Sequence, residues 1–389
     1  MNNRYLIKHI ILTIIFFLTA TLVNAQQALE IIPAPPQLAA KSYVLMDAAT
    51  GQILINNDGD ERLPPASLTK LMTAYLATLE MKKGQVRPAD LVTISEKAWK
   101  TGGSKMFVEV GKQVSLGDLL HGIIIQSGND ASVAVSEYLA GSEDVFAELM
   151  NKTAAQLGMK NSHFMNATGL PDPNHFSSAH DMAILARAII YEDPAHYAIY
   201  SQKEFLWNKI KQPNRNLLLW RDSTVDGLKT GHTEEAGYCM VASAKRNKLR
   251  LIAVLFGTSS EKARAEETQK LLTYGFRFYE NRTLYKKGVE VKKIRVWKGT
   301  NNEVSTGFAE DLSITLLKNQ FNNIQLQVSA AKELMAPVVA GQVLGKVAVK
   351  VGDKIVYSTD LVALQTVEQG SFLSRIWDSI VLFFKRLFS

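Results

Sequence analysis

Between Pro64 and Gly84 the apolar residues Leu68, Leu71, Met72, Tyr75, Leu76 and Leu79 fall three and four apart, the period of a helix. Pro64-Pro65 presets the backbone at its entry, where proline is tolerated. Lys82 and Lys83 occupy the last turn and Gly84 follows it, as a helix C-terminus prefers. The spacing predicts a helix with Ser67 in its first turn, Lys70 one turn on, and a buried face behind them. Upstream, 42–47 and 52–56 read as two strands joined by the turn Ala48-Ala49-Thr50-Gly51. Downstream, a helical region from Leu119 is interrupted at Gln126-Ser127-Gly128-Asn129-Asp130 and resumes over 131–139. Ser127 and Asn129 therefore sit on a turn between two buried helices. Helices over 143–160 and 178–192 flank a loop rich in Asn, Gly, Pro and Asp. Strands follow at 225–230, 236–244 and 249–256. The last is almost wholly apolar, which predicts a central position. A long helix over 263–280 covers the sheet.

Past residue 285 the period changes. Ile324-Gln325-Leu326-Gln327-Val328 alternates strictly, and Gly352-Asp353 joins 347–351 to 354–357 as a two-residue hairpin. This predicts a small all-β domain without a polar constellation, a spacer or interaction module. On a helical wheel, Phe372, Leu373, Ile376, Trp377, Ile380, Phe383, Phe384 and Leu387 share one half with Val381 and Phe388. Ser374, Arg375, Asp378, Ser379, Lys385 and Arg386 take the other half, and Leu382 alone is out of place. Charge interrupts the segment too often for a membrane span. Its two faces suit a helix lying in the membrane interface; the alternative is a helix docked on the protein's own core.

The net charge is +7, but residues 26–284 balance acid against base, so the excess sits toward the C-terminal end. An anionic membrane surface explains that placement better than nucleic acid, because no basic stripe interleaved with stacking aromatics is present. At the other end, Arg4 and Lys8 precede an apolar run over 10–23 and the small-residue site Val23-Asn24-Ala25, a secretory signal peptide. An uncleaved anchor is the alternative. The expected divisions are 1–25 signal peptide, 26–284 catalytic domain, 285–366 all-β domain and 367–389 amphipathic membrane-anchoring helix.

Candidate chemistry is confined to a few residues. The single cysteine, Cys239, excludes an internal disulfide and lies in an apolar run, as a buried small side chain does. His163, His175 and His180 cluster in one loop without a further ligand for a metal, and are read as loop and helix-cap residues. No phosphate-binding glycine loop occurs, so no cofactor is expected. Ser67 and Lys70, three apart, share a helix face. A serine becomes a nucleophile when a base takes its proton, and a buried lysine can be that base. Ser-x-x-Lys recurs at Ser259/Lys262 and Ser329/Lys332, so the pair gains meaning only from Ser127/Asn129 and Lys229-Thr230-Gly231 downstream. A second Lys-Thr-Gly at residues 100–102 lies in a glycine-rich loop and is set aside.

The order and spacing of these three motifs resemble the serine acyltransferases that bind penicillin. The stretch Asp226-Gly227-Leu228-Lys229-Thr230-Gly231-His232-Thr233 and the segment Asn214-Arg215-Asn216-Leu217-Leu218 resemble the low-molecular-mass D-alanyl-D-alanine carboxypeptidases. So does Pro64-Pro65-Ala66-Ser67-Leu68-Thr69-Lys70. The resemblance covers roughly residue 40 to the C-terminus. It implies an α/β (α+β) penicillin-binding/β-lactamase-like transpeptidase domain with an antiparallel sheet and a helical subdomain, then the all-β domain and the amphipathic helix. It implies that Ser67 attacks the penultimate D-alanine carbonyl, Lys70 takes its proton, and Ser127 relays a proton to the departing D-alanine. Asn129 would hydrogen-bond the substrate amide and steady Lys70. Lys229 would depress the pKa of Lys70 by like charge, Thr230 and Arg215 would hold the terminal carboxylate, and the N–H groups of Ser67 and His232 would hold the oxyanion. Peptidoglycan stems are the implied substrate, β-lactams covalent inhibitors, and the periplasmic side of the inner membrane the location. A β-lactamase is the nearest alternative. Gly128, where those enzymes carry aspartate, and the lack of glutamate over 151–191 argue for slow release of bound penicillin instead. A penicillin-binding sensor without turnover is the non-enzymatic alternative.

Overall fold

Strand β9 (Leu249–Thr258) is the middle strand of a five-stranded antiparallel sheet ordered β2-β1-β9-β8-β7, with β1 (Ser42–Asp47), β2 (Ile53–Asn57), β7 (Val225–Thr233) and β8 (Gly237–Arg246). Its near-continuous burial means that both faces are covered, which is why it carries no polar alternation. The Glu261–Phe278 and Ala179–Glu192 helices supply the cover. Gly275 lets the first lie close, because a Cβ there would come within 2.6 Å of Leu251 and 2.7 Å of Leu45. Ser260 caps that helix by accepting from the Ala263 N–H at 3.0 Å, so it starts before the apolar period does. In the computed structural model the described residues are 32–387 except 193 and 332. The signal-peptide stretch 1–25 lies outside them. The chain divides into two compact units, Met1–Ala34 and Pro35–Ser389, and all elements named here belong to the second.

The part of the chain between β2 and β7 is mainly helical. Its centre is the Lys70–Lys82 helix, buried from Lys70 through Ala77 on all sides, a core helix without an exposed stripe over that span. The expected first turn is different. Ala66–Thr69 is a 3-10 turn, and the α-helix begins at Lys70. Ala66 has φ +47, and Gly169 lies so close that a Cβ on it would sit 1.8 Å from the Ala66 carbonyl oxygen. The interrupted region also departs from a simple turn. The Leu116–His121 helix passes into a π-helical turn over Gly122–Gln126, which ends on Ser127 in the left-handed region at φ +67, and a new helix runs Asn129–Ala140. π-turns and non-glycine residues at positive φ concentrate at functional sites.

Strand β10 (Tyr279–Tyr285) continues straight from the Glu261–Phe278 helix and pairs with β13 (Leu312–Leu317). A six-stranded sheet follows, in the spatial order Ile324–Ala330, Val343–Val351, Lys354–Ala363, Glu303–Gly307, Lys292–Trp297 and Leu334–Met335, with the two-residue turn where expected: Val351 pairs with Lys354 across Gly352, whose φ is +58. Thr315 Oγ1 donates to Asp47 at 2.7 Å, and the Tyr279 hydroxyl donates to the Leu54 carbonyl at 2.9 Å, so this domain is bonded to the β1–β2 hairpin. The C-terminal helix runs Phe372–Leu387, with Leu382, the residue out of place on the wheel, buried.

Candidate active site

Two elements meet at Ser67. The 3-10 turn has three residues per turn, so side chains at i and i+3 eclipse, and Lys70 Nζ donates to Ser67 Oγ at 3.0 Å. The edge strand β7 lies against the turn, and Gly231 permits it: a Cβ there would meet the Pro65 carbonyl at 3.0 Å and the Leu68 nitrogen at 3.3 Å. An edge strand can receive an extended peptide along its unpaired side. The π-turn ends on Ser127, whose Oγ is buried and has no hydrogen-bond partner among the described residues. An orphaned buried hydroxyl is costly.

Lys70 is 1 % exposed. Its second acceptor is the Thr168 carbonyl, at 2.6 Å. The loop that supplies this carbonyl is fastened along the helix: Thr73 Oγ1 donates to the Ala167 carbonyl at 2.7 Å, and Asn166 Oδ1 accepts from the N–H groups of Thr168 and Gly169. Burial pushes the Lys70 pKa down from 10.5 to about 7, the Arg215 guanidinium pushes in the same direction, and the Asp130 carboxylate opposes both. Arg215 is thus a like charge beside Lys70 that the sequence reading did not place there, and Lys70 and Lys229 repel one another as well. Lys229, also buried, is driven well below its ordinary value by burial, then by Lys70, Arg215 and Arg264. Lys70, Arg215 and Lys229 thus lie close enough to act on one another, with Arg264 adding to the field. The nearby carboxylate, Asp130, is committed to the N–H groups of Met106, Phe107 and Val108. Such a field invites an anion.

Arg215 is held by its neighbours. Asn214 and Asn216 are buried on either side of it. Asn216 Nδ2 donates to the Gly227 carbonyl at 3.0 Å, and Asn214 Oδ1 accepts from the Asn216 N–H. The guanidinium itself stays exposed. Behind β7, buried Arg264 donates to the carbonyls of Gly231 and Arg215. Thr230 is buried, and His232 is exposed with its ring stacked on Tyr238 at 4.0 Å. Asn129 lies beside the cleft, but its Nδ2 donates to the Gly102 carbonyl at 2.7 Å. Thr168, not Asn129, steadies Lys70.

Three contributors were not read from the sequence: Asp130, Thr168 and His175. Only Asp130 left a trace, as the residue after Ser-Gly-Asn. His175, expected as a loop or cap residue, is buried beside the turn. It accepts from the Met165 N–H at Nδ1 (3.3 Å), so Nε2 carries the proton and donates to Thr69 Oγ1 at 2.8 Å. Burial lowers its pKa to about 4, so the ring is neutral at pH 7. Cys239 pairs opposite Gly231 behind the cleft, and burial pushes its thiol up to about 11; it is no nucleophile. The set-aside Lys100 pairs with Glu96 at the surface. Among the described residues no group of His, Cys, Asp and Glu could hold a metal.

Comparisons with known proteins bear on the family and the fold. A family model described as D-alanyl-D-alanine carboxypeptidase matches residues 29–260, and one described as penicillin-binding protein 5, C-terminal domain, matches 279–369. The chain is 41% identical over 382 residues to D-alanyl-D-alanine carboxypeptidase DacC of Escherichia coli, covering 96% of this chain and 94% of that one. Penicillin-binding protein 5 from Haemophilus influenzae superposes with a TM-score of 0.83 at 44% identity, over 87% of this chain and 100% of that one. Penicillin-binding protein D2 from Listeria monocytogenes, solved in an ampicillin-bound form, superposes with a TM-score of 0.58 at 28% identity, over 63% of this chain and 100% of that one.

Proposed function

From the premise that the chain belongs to the D-alanyl-D-alanine carboxypeptidases, we propose that it cleaves the terminal D-alanine of peptidoglycan stems through an ester on Ser67. The observation that carries the assignment of roles is a buried amine, with a pKa near neutral, 3.0 Å from a serine hydroxyl. Neutral Lys70 accepts the Ser67 proton as Oγ bonds to the carbonyl carbon of the penultimate D-alanine. The oxyanion is held by the N–H groups of Ser67 and His232. Ser127 passes its hydroxyl proton to the leaving nitrogen as the peptide bond breaks and recovers one from Lys70, which is then neutral again. Lys229, Thr230 and Arg215 hold the terminal carboxylate, with the guanidinium supplying a forked donor; that negative charge favours a protonated Lys229. Water, with its proton taken by Lys70, then releases the shortened peptide.

The test is D-alanine release from a diacylated lysyl-D-alanyl-D-alanine peptide, run beside nitrocefin. Steady D-alanine release is expected, and nitrocefin should give a burst near one equivalent followed by slow turnover. The slow phase follows because the loop facing Lys70 offers the Thr168 carbonyl and no glutamate. Fast, complete nitrocefin turnover without D-alanine release would replace this reading with a β-lactamase. Labelling by penicillin without any release would replace it with a sensor.

For location, we propose peripheral attachment to the periplasmic side of the inner membrane through the C-terminal helix. No helix among the described residues is long and apolar enough to cross a membrane. The side chains of Phe372, Leu373, Trp377, Phe383 and Leu387 are exposed along one stripe, as an interfacial helix requires. Deleting residues 371–389 should move the protein into the soluble fraction; unchanged membrane association would refute the anchor.

A further inference from the structure

The C-terminal helix meets the β domain with the edge opposite its apolar stripe. Asp378 and Leu382 are 7 % and 4 % exposed, whereas Phe372, Leu373 and Trp377 are 68 %, 77 % and 67 % exposed. The Asp378 carboxylate accepts from the Lys298 N–H at 2.5 Å, which Lys298 presents from a left-handed backbone at φ +61. Lys385 lies over the Trp297 ring, and Arg386 pairs with Glu333. The connection has no slack. Val367 and Gln369 bridge to Val338 and Gly299, and the Gly370 N–H donates to the Lys298 carbonyl at 2.8 Å.

We propose that this helix is a rigid foot, fastened by its polar edge to the β domain before any bilayer is met, with its apolar stripe set outward for an anionic lipid surface. The proposal rests on the membrane reading above and adds how the surface is held. An isolated helix of this length is marginal in water, and a tail that folds only on the bilayer bears the cost of ordering at that step. Here the clamp has already ordered it. Because the β domain is in turn bonded to the β1–β2 hairpin of the catalytic domain, the enzyme stands on the bilayer at one fixed tilt.

Asp378→Ala in the full chain gives opposite signs for a clamped and a free tail. On a free amphipathic helix it removes an acidic charge and adds the strongest helix former, so binding to anionic vesicles should tighten. On a clamped helix it removes the fastening, so binding should weaken several-fold. The wild-type chain is expected to show amide exchange over 372–387 slowed by about tenfold or more without lipid. Asp378→Ala should lose that protection while D-alanine release stays unchanged, the residue being remote from Ser67. The probe is vesicles of phosphatidylethanolamine with phosphatidylglycerol. Unprotected wild-type amides, protection unaffected by the substitution, or tighter binding by the variant would overturn the clamp. Protected amides with no vesicle binding by the wild type would overturn the membrane reading and leave the clamp standing.

Discussion

Ser67→Ala is expected to abolish both D-alanine release and covalent labelling by a fluorescent penicillin, with rates falling on the order of 10⁴ to 10⁶, as for other serine acyl-transfer nucleophiles. The loss should be chemical rather than structural. Ser67 is only partly buried, and its Oγ accepts a single hydrogen bond, from Lys70. The alanine variant leaves that amine bonded to the Thr168 carbonyl and opens no core cavity, so thermal stability should stay close to wild type. The comparison to make is labelling on a gel beside a melting curve. A labelled variant would mean that another hydroxyl is acylated, and buried Ser127 would be the first to examine. Absence of labelling in a variant that no longer melts cooperatively would assign the turn a structural role and leave the nucleophile open, so Ser67→Cys, which keeps a nucleophilic atom at the same position, provides the second arm.

Much of this site is legible in the sequence because each of its motifs is a short stretch of chain. Ser67 and Lys70 are spaced so that any helical turn brings them together, Gly352-Asp353 specifies its own hairpin, and the apolar run at 249–256 has no place except the middle of a sheet. The type of turn was not legible, since it depends on Gly169, a residue far along the chain that presses on Ala66. The same is true of the atoms that complete the base. The Thr168 acceptor is a main-chain carbonyl and carries no side-chain signature. The cation that depresses Lys70 is set by how the Asn214–Asn216 segment folds onto β7, which periodicity does not report. His175 looked like a loop histidine because its hydrogen bond to Thr69 spans two segments. The tail is the instructive case: the wheel separated its faces correctly, and the one discordant residue, Leu382, marked the contact with the β domain.

Lys70→Ala should lower the rate of penicillin acylation by about 10² to 10⁴, the usual worth of a positioned general base, and should also change the shape of the pH profile. With its pKa at about 7, the wild-type amine is protonated below neutrality and cannot accept the Ser67 proton. Acylation should therefore rise with pH and level off above that midpoint. Lys70→Arg should not rescue the rate, because a guanidinium stays protonated. Folding stability carries the same signature. An unfolded lysine holds its proton to 10.5 and the folded one releases it at about 7. Between those values the unfolded state binds more protons, so this residue's contribution makes stability increase with pH across that window; the increase should become shallower in the alanine variant, leaving the part that buried Lys229 supplies. Arg215→Gln gives the third arm. Removing the cation that helps depress Lys70 should move the acylation midpoint above 7, whatever it does to the maximal rate. An acylation rate that is flat from pH 6 to 9 in the wild type, or a midpoint that persists in Lys70→Ala, would show that a different group takes the proton.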